Sequence, residues 1–291
     1  MDTILSLLTG VVIAVMILWN GQLTAGYGNY AAAVIIHVVG TVFSGVLCLA
    51  GRRKVFAKAP FWAYLGGAIG VLSTLFNNYA FGHITMTSIV ALGLLGQTIT
   101  SVLLDRFGWL GAPKRPVDRS VAVALISAPV GIFLMLDGSV SQSILAVLLS
   151  LGAGVTVVLS RMVNARLASE TSPLAGSFVN HLVGLPICAV LLLLVGQWTT
   201  PAAGTMEPWM YCGGMLGVTT VLLFNITVPR VSAFRLTLLS FVGQVFTGVA
   251  LDVALGQTAS AASFRGGLVI AAGLLVSQLL GARKSVAKTE N

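Results

Sequence analysis

The chain has 291 residues, of which 57% are apolar and only 8% charged, with a mean hydropathy of +0.98. A water-soluble domain needs about a quarter of its residues charged to cover its surface, so this composition excludes one and marks a polytopic membrane protein. The net charge of +8 does not bring in nucleic acid as a partner, because the basic residues sit in short segments between apolar runs and form no basic helix face with interleaved aromatics.

Apolar runs of about 17 to 25 residues, long enough to cross a bilayer as helix, predict ten spans. They lie at 3–20, 29–50, 61–80, 84–106, 118–136, 142–163, 173–196, 208–228, 231–253 and 264–282. The expected fold is an all-α polytopic membrane protein of ten transmembrane helices. Turn formers fall in the gaps: Gly26, Gly28 and Asn29 after the first run, Pro60 at the third, Gly111-Ala112-Pro113 after the fourth, Pro201 and Pro208 before the eighth. No Lys or Arg precedes Ile4, so the first run reads as a retained span rather than a signal peptide. Cys48, Cys188 and Cys212 lie within apolar stretches without metal-ligand spacing. They read as small buried hydrophobes, and no metal or cofactor is expected.

Charge placement gives the orientation. With a cytoplasmic N-terminus, every Lys and Arg but one falls on the inner side: Arg52, Arg53, Lys54 and Lys58, then Arg106, Lys114, Arg115 and Arg119, then Arg161 and Arg166, then Arg230 and Arg235, then Arg283, Lys284 and Lys288. Only Arg265 lies outside. The positive-inside rule therefore predicts cytoplasmic N- and C-termini, and a missing span would scatter these charges over both faces.

The sequence also contains itself twice. Displaced by 144 residues, Gly10 meets Gly154, Asn20 meets Asn164, Leu23 meets Leu167, His37 meets His181 and Gly40 meets Gly184. Displaced by 147, Trp62 to Asp105 overlays Trp209 to Asp252, pairing Gly66-Gly67 with Gly213-Gly214, Asn78 with Asn225, Gly96-Gln97 with Gly243-Gln244, and Asp105 with Asp252. So long a period is a duplicated half-protein, 1–140 and 141–291, rather than a solenoid. Each half holds five spans, an odd number, so the second enters the membrane from the opposite side. Inverted-topology repeats are typical of secondary transporters with a site near the midplane.

Polar groups within spans are costly in hydrocarbon, which makes them the candidate site. His37 and His181 form a pseudo-symmetric pair suited either to hydrogen bonding a solute or to joining helices. Gln97 and Gln244 lie midway along their spans, where an amide must find a partner in a solute or a neighbouring helix. Asn20, Asn164, Asn78 and Asn225 lie nearer span ends, where capping competes with a gate or hinge role. Asp105 and Asp252 read as solvated or paired interface carboxylates, His83 as a solvated loop residue, and Trp19, Trp62, Trp109 and Trp209 as interfacial anchors. The run Gly66-Gly67-x-x-Gly70 and its copy Gly213-Gly214-x-x-Gly217 have the small-residue spacing of close helix packing. No nucleotide-binding loop, metalloprotease signature or catalytic triad occurs, and no carboxylate lies midspan, so neither ATP-driven transport nor an enzyme is expected.

The N-x-x-L step of Asn20 to Leu23 and Asn164 to Leu167, the His-x-x-Gly of His37 and His181, and the Trp-x-Tyr-x-Gly-Gly at Trp62 and Trp209 resemble the YdcZ-type branch of the drug/metabolite transporter superfamily. The resemblance covers nearly the whole chain, once per half. It implies a ten-helix bacterial inner-membrane protein that exports small molecules. The small multidrug resistance branch uses a membrane-embedded Glu in its first span for proton coupling; here the only acid near that span is Asp2. The expected function is secondary transport of a small neutral or zwitterionic metabolite by alternating access, with His37, His181, Gln97 and Gln244 as contacts. A lipid or lipid-carrier flippase and a non-transporting scaffold subunit are the alternatives, and a homodimer is left open.

Overall fold

The computed structural model describes the chain except residues 82, 112, 116–118, 197–198, 202–204, 257–259 and 290–291; at 78, 81, 86, 119–120, 252, 278 and 281–289 it describes the backbone alone. The described residues form α1 (Asp2–Tyr27), α2 (Asn29–Ala50), α3 (Gly66–Phe81), α4 (Met86–Phe107), α5 (Arg119–Met135), α6 (Ile144–Glu170), α7 (Pro173–Val195), α8 (Gly213–Thr227), α9 (Ala233–Ala254) and α10 (Ala261–Thr289), with no strand among them. Seven helical stretches among the described residues are long and apolar enough to cross a membrane, α8 counting only together with the 3-10 turn Pro208–Cys212 that leads into it. Shorter apolar helices occupy Gly66–Asn77, Val121–Met135 and Ala261–Ser277. Large apolar side chains such as Leu49, Phe133, Leu193 and Leu275 face outward, as a lipid solvent requires.

Local chemistry sets the helix boundaries. Thr85, Ser143, Ser172 and Ser232 each accept a hydrogen bond from the backbone N–H three residues on, capping α4, α6, α7 and α9. Gly28, at φ 81° and ψ 164°, is the sole residue between α1 and α2. That conformation is essentially restricted to glycine. Asn20 and Asn164 do not sit at helix ends: α1 continues to Tyr27 and α6 to Glu170. Both helices outrun the roughly 20 residues that a bilayer core spans, so span length estimated from the bilayer stopped short of the real helix.

The two halves interlock rather than stand side by side. Helix α1 packs against α8 and α9 as its counterpart α6 packs against α3 and α4, and α2 meets α7 as α5 meets α10. The contacts are exchanged residue by residue. A side chain at Gly10 would strike Ser240 and Gln244, while one at Gly154 would strike Gly93 and Gln97. Gly67 abuts the backbone of Asn180 on α7, and Gly214 that of Ile36 on α2. Such reciprocity is the signature of an isologous contact, here within a single chain.

Corresponding helices run antiparallel. Across α2 and α7, Gly45 lies at Phe178, Gly40 at His181 and His37 at Gly184. Across α4 and α9, Ser101 meets Thr237 and Asp105 meets Ala233. One end of the bundle gathers Asp2 with Arg230 (3.7 Å) and Thr3 with Arg235 (3.1 Å); we call it the basic face. At the opposite face the hydroxyls of Tyr27 and Tyr211 are 2.7 Å apart, and Thr199 Oγ1 donates to the Gly26 carbonyl. The largest apolar cluster lies between α4, α5, α9 and α10, around Leu94, Ile132, Leu238 and Ile270.

The connection between the halves is pinned at that opposite face. Asp137 accepts from Thr85 Oγ1 (2.5 Å), the Ser139 N–H (2.9 Å) and Ser88 Oγ (3.2 Å), tying the α5–α6 connection to the start of α4. Hydrogen bonds from Ser139 and then Thr85 hold its carboxyl down to about 2 from an ordinary 3.8.

Two predictions follow from this packing. Gly67→Val and Gly214→Val each force backbone against side chain and are expected to destabilise by about 1–3 kcal/mol or more. At Gly248 an added Cβ meets nothing within 4 Å, so Gly248→Ala should change stability by less than about 1 kcal/mol; unfolding of purified protein in detergent measures both. Because the Asp137 carboxyl is depressed in the folded state, its bonds stabilise fully above the unfolded value and are lost as pH falls through about 2. Melting temperature followed from pH 6 to pH 2 should fall more steeply for the native protein than for Asp137→Asn.

Candidate functional site

A cavity of about 460 Å³ opens between α1, α4, α6 and α9. Its mouth is at the face opposite the basic one, beside Thr24, Asn29 and Asn77 at helix ends. Its deep end lies midway along the helices, where Gln97 and Gln244 line it with Gly93, Gly154, Val157 and Phe241. The size falls within the range of small-molecule pockets. Glycines at 10, 154, 96 and 243 let the four helices approach closely, and the next residues after Gly96 and Gly243, Gln97 and Gln244, enter the cavity from opposite halves, Gln244 nearer the mouth and Gln97 nearer the sealed end. Gln244 makes no hydrogen bond to a side chain or backbone group among the described residues, so its amide is free for water or a solute.

Below the glutamines the bundle is shut by polar bonds in two successive layers. In the first, Thr237 Oγ1 accepts from Arg161 Nη2 (2.9 Å) and shares a proton with Ser101 Oγ (2.9 Å), and Arg161 Nη2 also reaches Gln97 Oε1 (3.4 Å). The guanidinium carbon lies 4.8 Å from the centroid of the Phe224 ring, a cation–π distance. In the second layer, one turn nearer the basic face, the buried Asp105 carboxylate accepts from the N–H groups of Ala233 (2.9 Å) and Phe234 (2.8 Å) at the start of α9. Two charge-assisted bonds to a helix N-terminus lock α4 to α9 there. Asp105 is thus neither solvated nor ion-paired, contrary to expectation from its place at a span end; the opposite helix terminus supplies the donors.

The other predicted residues divide clearly. Asn20 lines the cavity with the two glutamines. His37 and His181 do not line it: their rings face each other across α2 and α7 with centroids 5.7 Å apart. Each Nδ1 bonds the carbonyl one turn back in its own helix, Ala33 or Ser177, at 2.9 Å. The opposite edges of the rings fill the space left by Gly184 and Gly40. Asn164 donates to Asn180 Oδ1 (2.8 Å) and Asn225 to the Pro173 carbonyl (2.9 Å), so both join helices rather than cap their own. The side chain of Asn78 lies outside the described residues. His83 is exposed as expected and stacks on Tyr79.

Arg161 is the residue that sequence reasoning passed over. It lies inside the end of the expected span and counts with the inner positive charges, but it is buried within α6 and bonded to Gln97 and Thr237. The signal was available: Arg161 is followed by the apolar Met162 and Val163 before Asn164 and has Ile17 as its counterpart in the first half, so the charge is present in one copy alone.

The family model described as "Putative inner membrane exporter, YdcZ" matches residues 2–134 and again 145–281. The chain belongs to this exporter family and is a multi-pass inner-membrane transport protein. A solved crystal structure, described only as that of a protein, shares the fold at a TM-score of 0.70 and 18% identity, over 97% of this chain and 96% of that one. No curated protein matches the sequence.

The histidine geometry makes a prediction. His181→Ala leaves a void against Gly40 and Gly217 and should cost about 2–5 kcal/mol of stability while leaving solute affinity unchanged in the folded fraction. Loss of affinity without loss of stability would put the ring in the path of the solute.

Proposed function

We propose that this exporter is a secondary transporter working by alternating access between two inverted repeats of five spans, with both termini in the cytoplasm. The cargo is a small polar metabolite. The observation that carries this reading is a cavity that ends at the equivalent residues Gln97 and Gln244 and is sealed beyond them. The antiparallel course of α2 against α7 and α4 against α9 supports the inversion, and the basic residues at the sealed end support a cytoplasmic location for that end.

In this orientation the described state faces outward. The inward-facing state follows by exchanging the roles of the halves, as inverted repeats do. The residues equivalent to those lining the present cavity would then line one open to the cytoplasm: Arg161 in place of Ile17, Asn164 in place of Asn20, Thr237 in place of Val90. Asp105 must release Ala233 and Phe234 for that opening. One chain supplies the whole cavity, so transport needs no second copy. The expectation of a neutral or zwitterionic cargo rested on uncharged cavity groups, and the buried Arg161 changes that basis.

The test is access from each side. Gly21 lines the cavity and has space for a side chain, so Gly21→Cys, with Cys48, Cys188 and Cys212 replaced, should react with a membrane-impermeant thiol reagent from outside. Asp105→Ala, which loosens the inner seal, should slow that labelling several-fold. Gln97→Ala and Gln244→Ala should each cut solute flux in proteoliposomes at least tenfold. Undiminished labelling together with undiminished flux rejects the gate and the site.

A further inference from the structure

Among the described residues no carboxylate forms an ion pair with Arg161. The ion pairs there are Arg166 with Glu170 and Arg230 with Asp2, both on the surface. Arg161 keeps 7% of its surface accessible and is bonded only to the neutral Gln97 and Thr237. A cation removed from water without a counter-charge is strongly unfavourable, and a guanidinium offers five donors in a planar fork that matches a carboxylate. Two neutral acceptors on one nitrogen leave most of that fork unused.

Position ties the charge to the transport path. Gly154, Val157 and Arg161 are spaced three and four apart and so share one stripe of α6; the first two line the cavity, and Arg161 is the next turn down. Its equivalent, Ile17, lines the cavity that is open now. The exchange that closes this cavity and opens the other therefore brings the guanidinium to the cytoplasmic opening.

We infer that Arg161 receives the anionic group of the cargo, and that the cargo is a small monocarboxylate. This deepens the alternating-access reading and rests on it. The charge count fixes the class: the one cation next to the path, Arg161, neutralises one carboxylate, and the lining of the open cavity holds neither a basic side chain of its own nor an acid to receive an ammonium group. Gln97 and Gln244 are left to bond the neutral remainder of the molecule. On loading, the carboxylate takes the guanidinium from Gln97 and Thr237; on outward release, those two take it back, which is the arrangement described here.

The purified full-length protein and its proteoliposomes should be offered three shape-matched series: short monocarboxylates, their primary amides, and the corresponding α-amino acids. The expected result is thermal stabilisation and saturable flux with members of the first series only, each turnover carrying negative charge. Arg161→Met should weaken that affinity at least tenfold, Arg161→Lys should restore part of it, and Arg166→Gln on the surface should leave it unchanged. Equal stabilisation by amides or amino acids, with Arg161→Lys and Arg161→Met retaining native affinity, overturns the inference while leaving transport standing. If Arg161→Met does not fold, the native protein's choice among the three series decides alone. No flux of any series, with Gly21→Cys reactive from neither side, rejects the alternating-access reading and the inference with it.

Discussion

The constraint on which everything else depends is the closeness of the two halves. Backbone meets backbone at Gly10 and Gly243, at Gly154 and Gly96, at Gly67 and Asn180, and at Gly214 and Ile36. Lipid provides no hydrophobic drive between helices, so association there relies on van der Waals fit and on polar bonds that hydrocarbon cannot replace. Each of these contacts has a twin made by the equivalent residues of the other half. On the alternating-access reading proposed above, such paired contacts allow a second, comparable arrangement in which the bundle opens to the other side.

Polar bonds then decide which arrangement is occupied. Asp105 holds the start of α9, Ser101 and Thr237 bond each other, and Arg161 leans on the same threonine. Ser101, Thr237 and Arg161 have Gly248, Val90 and Ile17 as their equivalents, so their bonds have no twin at the other face; the side chain of Asp252, the equivalent of Asp105, lies outside the described residues. The repeat is therefore kept in the glycine contacts and broken at Ser101, Thr237 and Arg161, of which Arg161 adds a charge to one half alone.

Much of this was legible in the sequence because it depends on spacing. Apolar runs and their breaks gave the helices, the positive charges gave one face of the bundle, and the two repeat offsets paired helices that turn out to touch. The glutamines were legible because an amide midway along a span must meet something polar. What could not be read was partner choice. A histidine bonded to its own helix and one aimed into a cavity look alike in sequence, and so do an aspartate in solvent and one under a helix terminus. Arg161 was passed over for a related reason: it lies near the end of the expected span and counts with the cytoplasmic charges, and nothing in the spacing shows that α6 buries it against Gln97 and Thr237.

A single charge that breaks the symmetry has an energetic consequence. Tighter binding in the inward state cannot by itself drive net export, because differential affinity shifts the balance between conformations without creating free energy. The driving force must come from outside the protein. An anion leaving a cell with a negative interior gains about 2.3 kcal/mol per charge for each 100 mV, with no coupling ion. On the proposed export of a monocarboxylate, transport would need no midspan carboxylate to carry a proton, and the sequence has none. A fixed cation that accompanies the cargo's charge through the barrier, and stays behind when the cargo leaves, would take the place of proton coupling.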